Sequence, residues 1–142
     1  MRIFPALLTI STLSVFGAAN SQGSHPDQPM PVAEFNQQVV QAHRERQLWV
    51  IASKVVAYKF VGAECDCKTR TVEIERLAPE PDAVVRYTIT DDGLQDDSVQ
   101  AVRYTLTLRE TRDRYWLIES AGKSWACAPN RGHIYFSAEL CS

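Results

Sequence analysis

Apolar and polar residues alternate with a period of two through most of the chain's second half, and only short gaps separate the runs. Val72 and Ile74 alternate with Thr71, Glu73 and Glu75. Val85, Tyr87 and Ile89 alternate with Arg86, Thr88 and Thr90. Val102, Tyr104, Leu106 and Leu108 alternate with Arg103, Thr105, Thr107 and Arg109, and Trp116 and Ile118 close the series. Turn residues punctuate it at 78–82, at Asp91-Asp92-Gly93 and at 110–114. Strands joined this tightly pair antiparallel with their neighbours, so the pattern predicts a meander with one apolar face.

That face needs a cover, and the residues ahead of it supply one. Val32, Phe35, Val39, Ala42, Arg46 and Trp49 recur at helical spacing, with Pro31 suited to a first turn. They predict one amphipathic helix over 31–48, with the stem of Arg46 packed and its head in water. Val56, Tyr58 and Phe60 then alternate with Val55, Ala57 and Lys59, which predicts a strand ending near Val61-Gly62. The expected fold class is α+β: one N-terminal amphipathic helix on a curved antiparallel meander of about five strands. Glu73, Glu75, Arg86, Arg103 and Arg109 are expected to form opposite-charge pairs on its outer face.

The 142 residues divide as 1–19, 20–30 and 31–142. Arg2, an apolar body through Leu7, Leu8, Ile10, Leu13 and Val15, and small residues at Gly17-Ala18-Ala19 read as a secretory signal cleaved after Ala19. The apolar run is shorter than the ~20 residues a membrane span needs. No stable anchor is therefore expected after cleavage, and the protein is expected to be periplasmic or secreted. Residues 20–30 read as a flexible leader in which His25 is solvated, and 31–142 as a single domain. Cleavage removes one arginine, so fourteen basic residues face seventeen acidic ones, a net charge of −3. That balance argues against nucleic acid as a partner.

Cys65, Cys67, Cys127 and Cys141 all follow the signal, and an even count in an exported chain reads as disulfides. A Cys65–Cys67 bridge would close a very tight ring. Two bridges joining Cys65 and Cys67 to Cys127 and Cys141 are the expectation, with their order open. The spacing fits no standard zinc site, even with His133 as a helper. No metal or cofactor is expected.

A helix followed by a bent antiparallel meander resembles the cystatin-like plan. Arg103-Tyr104-Thr105-Leu106-Thr107-Leu108, a polar turn, then Tyr115-Trp116-Leu117-Ile118 is similar to the final hairpin of nuclear-transport-factor-like domains, here of the kind found in small exported bacterial proteins. That family spans enzymes, binding modules and assembly proteins, so the resemblance implies a fold and no activity.

The chain carries no nucleophile elbow, phosphate loop or zincin motif. Asp91, Asp92, Asp96 and Asp97 lack EF-hand spacing and read as turn-forming and solvating residues. The segment from Trp125 to Cys141 is the least ordinary. Arg131 and His133 flank Gly132, Tyr135 follows, and cysteines anchor the ends. An anchored loop loses little entropy on binding. Arg131, His133 and Tyr135 are therefore the candidate binding residues of a non-enzymatic interaction module, whose partner would be another envelope protein. The alternative is a small-ligand or enzymatic domain with a pocket between helix and sheet, where His43, Arg46, Tyr58, Tyr87 and Tyr104 are the candidates.

Overall fold

The computed structural model describes residues 25–142. The expected signal and residues 20–24 of the expected leader lie outside the described residues. The elements run β1 (Gln28–Pro29), α1 (Ala33–Arg44), a 3₁₀ turn (Leu48–Ile51), α2 (Ser53–Val61), β2 (Thr69–Ala78), β3 (Val84–Asp92), β4 (Val99–Glu110) and β5 (Trp116–Cys127). The strands form one antiparallel sheet in the order β1-β5-β4-β3-β2. The protein is thus α+β, as the alternation predicts, with the last four strands in sequence order.

The expected strand at 55–61 is a helix. Val56 and Phe60, and Ala57 and Val61, lie four residues apart and put one face of α2 against the core. That face buries Ala57, which a strand with Val56, Tyr58 and Phe60 inward would have turned out. The helix expected over 31–48 is shorter, because the chain leaves it at Glu45. Arg46 takes φ 60°, a left-handed conformation that ends the helical path, and its side chain is exposed beyond the apolar stripe. Gln47 then accepts from the indole of Trp49 at 2.7 Å, fixing the corner between α1 and α2.

Both helices cover one sheet face. Val39 of α1 and Val56 of α2 pack with Ile89, Leu106, Leu108 and Ile118, all essentially inaccessible to water. Phe35 meets Phe60 edge-on, ring centres 5.2 Å apart, which locks α1 to α2. Asn36 pins α1 to β5: its Nδ2 donates to the Ile118 carbonyl at 2.8 Å, and the Ile118 N–H donates back to Oδ1 at 3.0 Å. Register shifts at Arg76/Ala78, Val99/Ala101 and Thr107/Leu108 bend the strands locally. Among the described residues no helix is long and apolar enough to cross a membrane.

The bridges are Cys65–Cys67 and Cys127–Cys141, not the expected cross-pairs. The sheet order explains the difference. Cys67 lies just ahead of β2 and Cys127 ends β5, with β3 and β4 between them. Three strand spacings come to about 14 Å, well beyond the reach of a bridge. The Cα atoms of Cys65 and Cys67 are 5.2 Å apart, inside the ordinary range despite the single residue between them.

Both ends of the described residues lie along the outer edge of β5. Gln28 and Pro29 pair with Lys123 and Gly122, and the Met30 N–H donates to the Ala121 carbonyl at 2.9 Å. A Cβ on Gly122 would stand 2.7 Å from that of Asp27, so a glycine is needed where the leader crosses. Further along the same edge, Ser137 pairs with Trp125 and the Cys127 N–H donates to the His133 carbonyl at 2.8 Å.

Candidate functional site

The C-terminal loop is built around its disulfide. Asn130 and Gly132 have φ of 65° and 137°, and the Arg131 N–H donates to the Ala128 carbonyl at 3.0 Å, so the chain reverses at once after β5. A Cβ at Gly132 would come within 2.9 Å of Cys127 Sγ, so the turn accommodates the bridge only with glycine there. His133 sits inside the loop. Its Nδ1 is 2.7 Å from the Tyr135 carbonyl and its Nε2 is 3.0 Å from the Glu139 carbonyl. A neutral imidazole donates to one of these and an imidazolium to both. The ring therefore organises the loop, and its nitrogens are committed to the backbone.

Tyr135 stacks on His133 at 5.1 Å and on His25 at 4.4 Å, so His25 is an aromatic neighbour of the loop and not merely solvated. Arg131 stays open to solvent, and among the described residues its one acid contact is a loose one of 3.5 Å to exposed Asp97. Three apolar side chains also face outward, Ile134 at 84% exposed, Leu140 at 75% and Tyr135 at 50%, with Asn130 and Glu139 exposed among them. Ile134 and Leu140 were not among the candidate residues, because neither an isolated leucine nor a three-residue apolar run carries a periodic signal of which side chain faces out. Phe136 turns inward, and the guanidinium carbon of Arg103 lies 3.7 Å from its ring centre. Arg103 thus differs from the other outer-face arginines. Arg86 pairs with Glu75 at 2.9 Å, and Arg109 pairs with Glu119 across β4 and β5.

The five alternative pocket residues do not converge. His43 stacks on Tyr115 at 4.3 Å, and Arg46 lies in the exposed turn after α1. Tyr87 alone lines the cavity of about 180 Å³ between α2 and the sheet, with Ser53, Ile74, Val85 and Trp116. Its hydroxyl is 2.7 Å from Ser53 Oγ.

Tyr58 and Tyr104 belong to a second polar cluster at the other end of α2. Arg70 of β2 donates from Nε and Nη2 to the two carboxylate oxygens of Asp91 on β3, at 2.6 and 2.8 Å. Its Nη1 donates to the Gly62 and Ala63 carbonyls at 2.7 and 3.1 Å, satisfying groups that the end of α2 leaves free. The hydrogen bond to Asp91 raises the Arg70 pKa further. Burial pushes the Tyr104 phenol up, and the Asp91 charge adds to it against the opposing Arg70. One Asp91 oxygen and the sulfurs of Cys65 and Cys67 all lie within 4.8 Å of one another. Cys127, His133 and Cys141 make a similar trio, but sulfurs bonded to each other do not act as thiolate ligands.

Asp92 and Asp96 are turn formers, as expected, and Asp97 is exposed to solvent. Asp96 Oδ1 accepts from the Ser98 and Val99 N–H groups at 2.7 and 2.8 Å, and those two bonds hold its carboxyl below the ordinary aspartate value. Asp92 Oδ1 accepts from the Gly93 N–H. Asp91 is the exception, since it is buried and paired.

No protein-family model matches the chain, and no curated protein or solved structure matches it at a significant level.

Proposed function

We propose that this is an exported, periplasmic or secreted, binding module on a cystatin-like plan, whose C-terminal loop contacts another envelope protein and does no chemistry on it. One observation carries the reading: a loop closed by Cys127–Cys141 and organised internally by His133 projects Ile134, Tyr135 and Leu140 into solvent beside Arg131. Exposed apolar side chains on a constrained loop lower the entropic cost of association, and a neighbouring arginine offers bidentate bonds to a carboxylate. The fitting partner presents an apolar recess with an acidic residue at its rim. His133 serves the loop's shape in this account and does not touch the partner. The cavity that holds Tyr87, at about 180 Å³, is smaller than the roughly 300–1,000 Å³ of ligand sites, and the hollow of about 430 Å³ between α1 and Leu117 of β5 contains none of the five candidates, which weighs against that set as a pocket.

The test is recovery of partners from envelope extract by the oxidised protein and by an Arg131→Ala/Ile134→Ser variant. The variant should lose the recovered protein while keeping its melting temperature within about 1–2 °C, as surface changes do. Equal recovery by both would leave the segment as a stapled tail.

A further inference from the structure

The Cys65–Cys67 bridge joins no two elements of the sheet. It closes over the single residue Asp66 in the loop between α2 and β2. It therefore constrains far less of the unfolded chain than Cys127–Cys141, which spans fourteen positions. Both its cysteines are half-buried and Asp66 is exposed, so a thiolate from outside has a path to the sulfurs. Behind it stands Asp91, 4% exposed, with an oxygen within 4.8 Å of both sulfurs. Arg70 fixes that carboxylate with two N–H groups and ties itself to the Gly62 and Ala63 carbonyls, just ahead of Cys65.

A disulfide that does little for the fold, open on one side and backed by a buried ion pair on the other, has the parts that exchange chemistry needs. The bridge accepts electrons. The carboxylate is near enough to pass protons through one water, and the guanidinium holds it in place on that side of the bridge. We propose that Cys65-Asp66-Cys67 is a thiol–disulfide exchange site for dithiols, with Asp91 as its proton relay and Arg70 as the positioning residue.

The step balances. A substrate thiolate attacks one sulfur, the Cys65–Cys67 bond breaks, and a mixed disulfide forms. The other cysteine leaves as a thiolate and takes up a proton. The second substrate thiol gives up its proton and attacks the substrate sulfur of the mixed disulfide. The remaining cysteine is released and protonated. The substrate dithiol loses two electrons and two protons to become a disulfide, and Cys65 and Cys67 gain them.

The oxidised full chain is mixed in separate arms with dithiothreitol and with a reduced, unfolded polypeptide carrying one cysteine pair. Acid quenching, alkylation and peptide mapping then follow each bridge. Cys65–Cys67 should open at least tenfold faster than Cys127–Cys141; opening by both reagents assigns protein dithiols, and opening by dithiothreitol alone assigns small ones. A Cys65→Ser/Cys67→Ser variant should lose all fast exchange with its melting temperature within about 2 °C of the parent. Equal rates at the two bridges, or a large fall in melting temperature in the double variant, would overturn the proposal. Asp91→Asn keeps the side chain's size and should slow exchange tenfold or more and remove the pH dependence beyond the reagent's own titration. An unchanged rate and profile would refute the relay. The comparison of the two bridges uses unaltered protein, so it decides the site whether or not Asp91→Asn folds.

Discussion

Replacing Asp91 with alanine strands Arg70, whose side chain is only 13% exposed and whose guanidinium is fixed by two carbonyls as well as the carboxylate. Breaking a buried pair by removing one partner costs about 3–5 kcal/mol, because the remaining charge stays desolvated. Urea denaturation of Asp91→Ala should show a loss of that size. A loss under about 1 kcal/mol would mean that water replaces the carboxylate and the site is more open than it looks. The pair was within reach of the sequence. Asp91 continues the inward series of Val85, Tyr87 and Ile89, and Arg70 extends Val72 and Ile74 backwards by one step. Opposite charges at the ends of two inward-facing runs are a signal for a cross-strand pair, and here they are register partners. The turn signature Asp91-Asp92-Gly93 masked it, because a residue that ends a strand also begins a turn. No comparable signal exists for His133. Its contacts to the Tyr135 and Glu139 carbonyls depend on a loop path set by the Cys127–Cys141 bridge.

At the scale of elements, α2 is the segment where sequence and structure part. Its residues are β-branched or aromatic at five of nine positions, and an alternating reading of Val56, Tyr58 and Phe60 fits them. A helical reading fits equally, since a short apolar run does not distinguish the two periods by itself. Tertiary packing decides: the helix lets Phe60 meet Phe35 and buries Ala57. Ala57→Leu separates the readings experimentally. In the helix it overpacks a closed site and should cost about 1–3 kcal/mol by thermal or urea denaturation. A neutral or stabilising result would return this segment to a strand. The meander itself was legible, because period-two runs of five to eight residues with short turns admit few alternatives. The end of α1 was not, because Arg46 takes its left-handed turn without the glycine or asparagine that ordinarily marks one.

Across the whole molecule, the two disulfides gather at one end of the sheet. Cys67 lies two residues before Thr69, which pairs with Asp92, and Ala101, the next partner in that row, faces Ala126 beside Cys127. The first and last segments of the described residues share another boundary, the outer edge of β5. There the leader covers Ala121 to Lys123, and the tail covers Trp125 and Cys127. An uncovered strand edge offers a row of free N–H and C=O groups to any other strand. Residues 25–30 therefore cap this edge against pairing with another copy, and Met30 among them also packs against the core. A chain starting at Pro31 should fold but self-associate through β5. Light scattering and size exclusion at matched concentration should show higher oligomers for it and none for the chain starting at Asn20. Indistinguishable profiles would mean that the tail alone seals this side. How much of the chain is present ahead of Pro31 then sets not whether the protein folds, but whether it stays apart from its own copies.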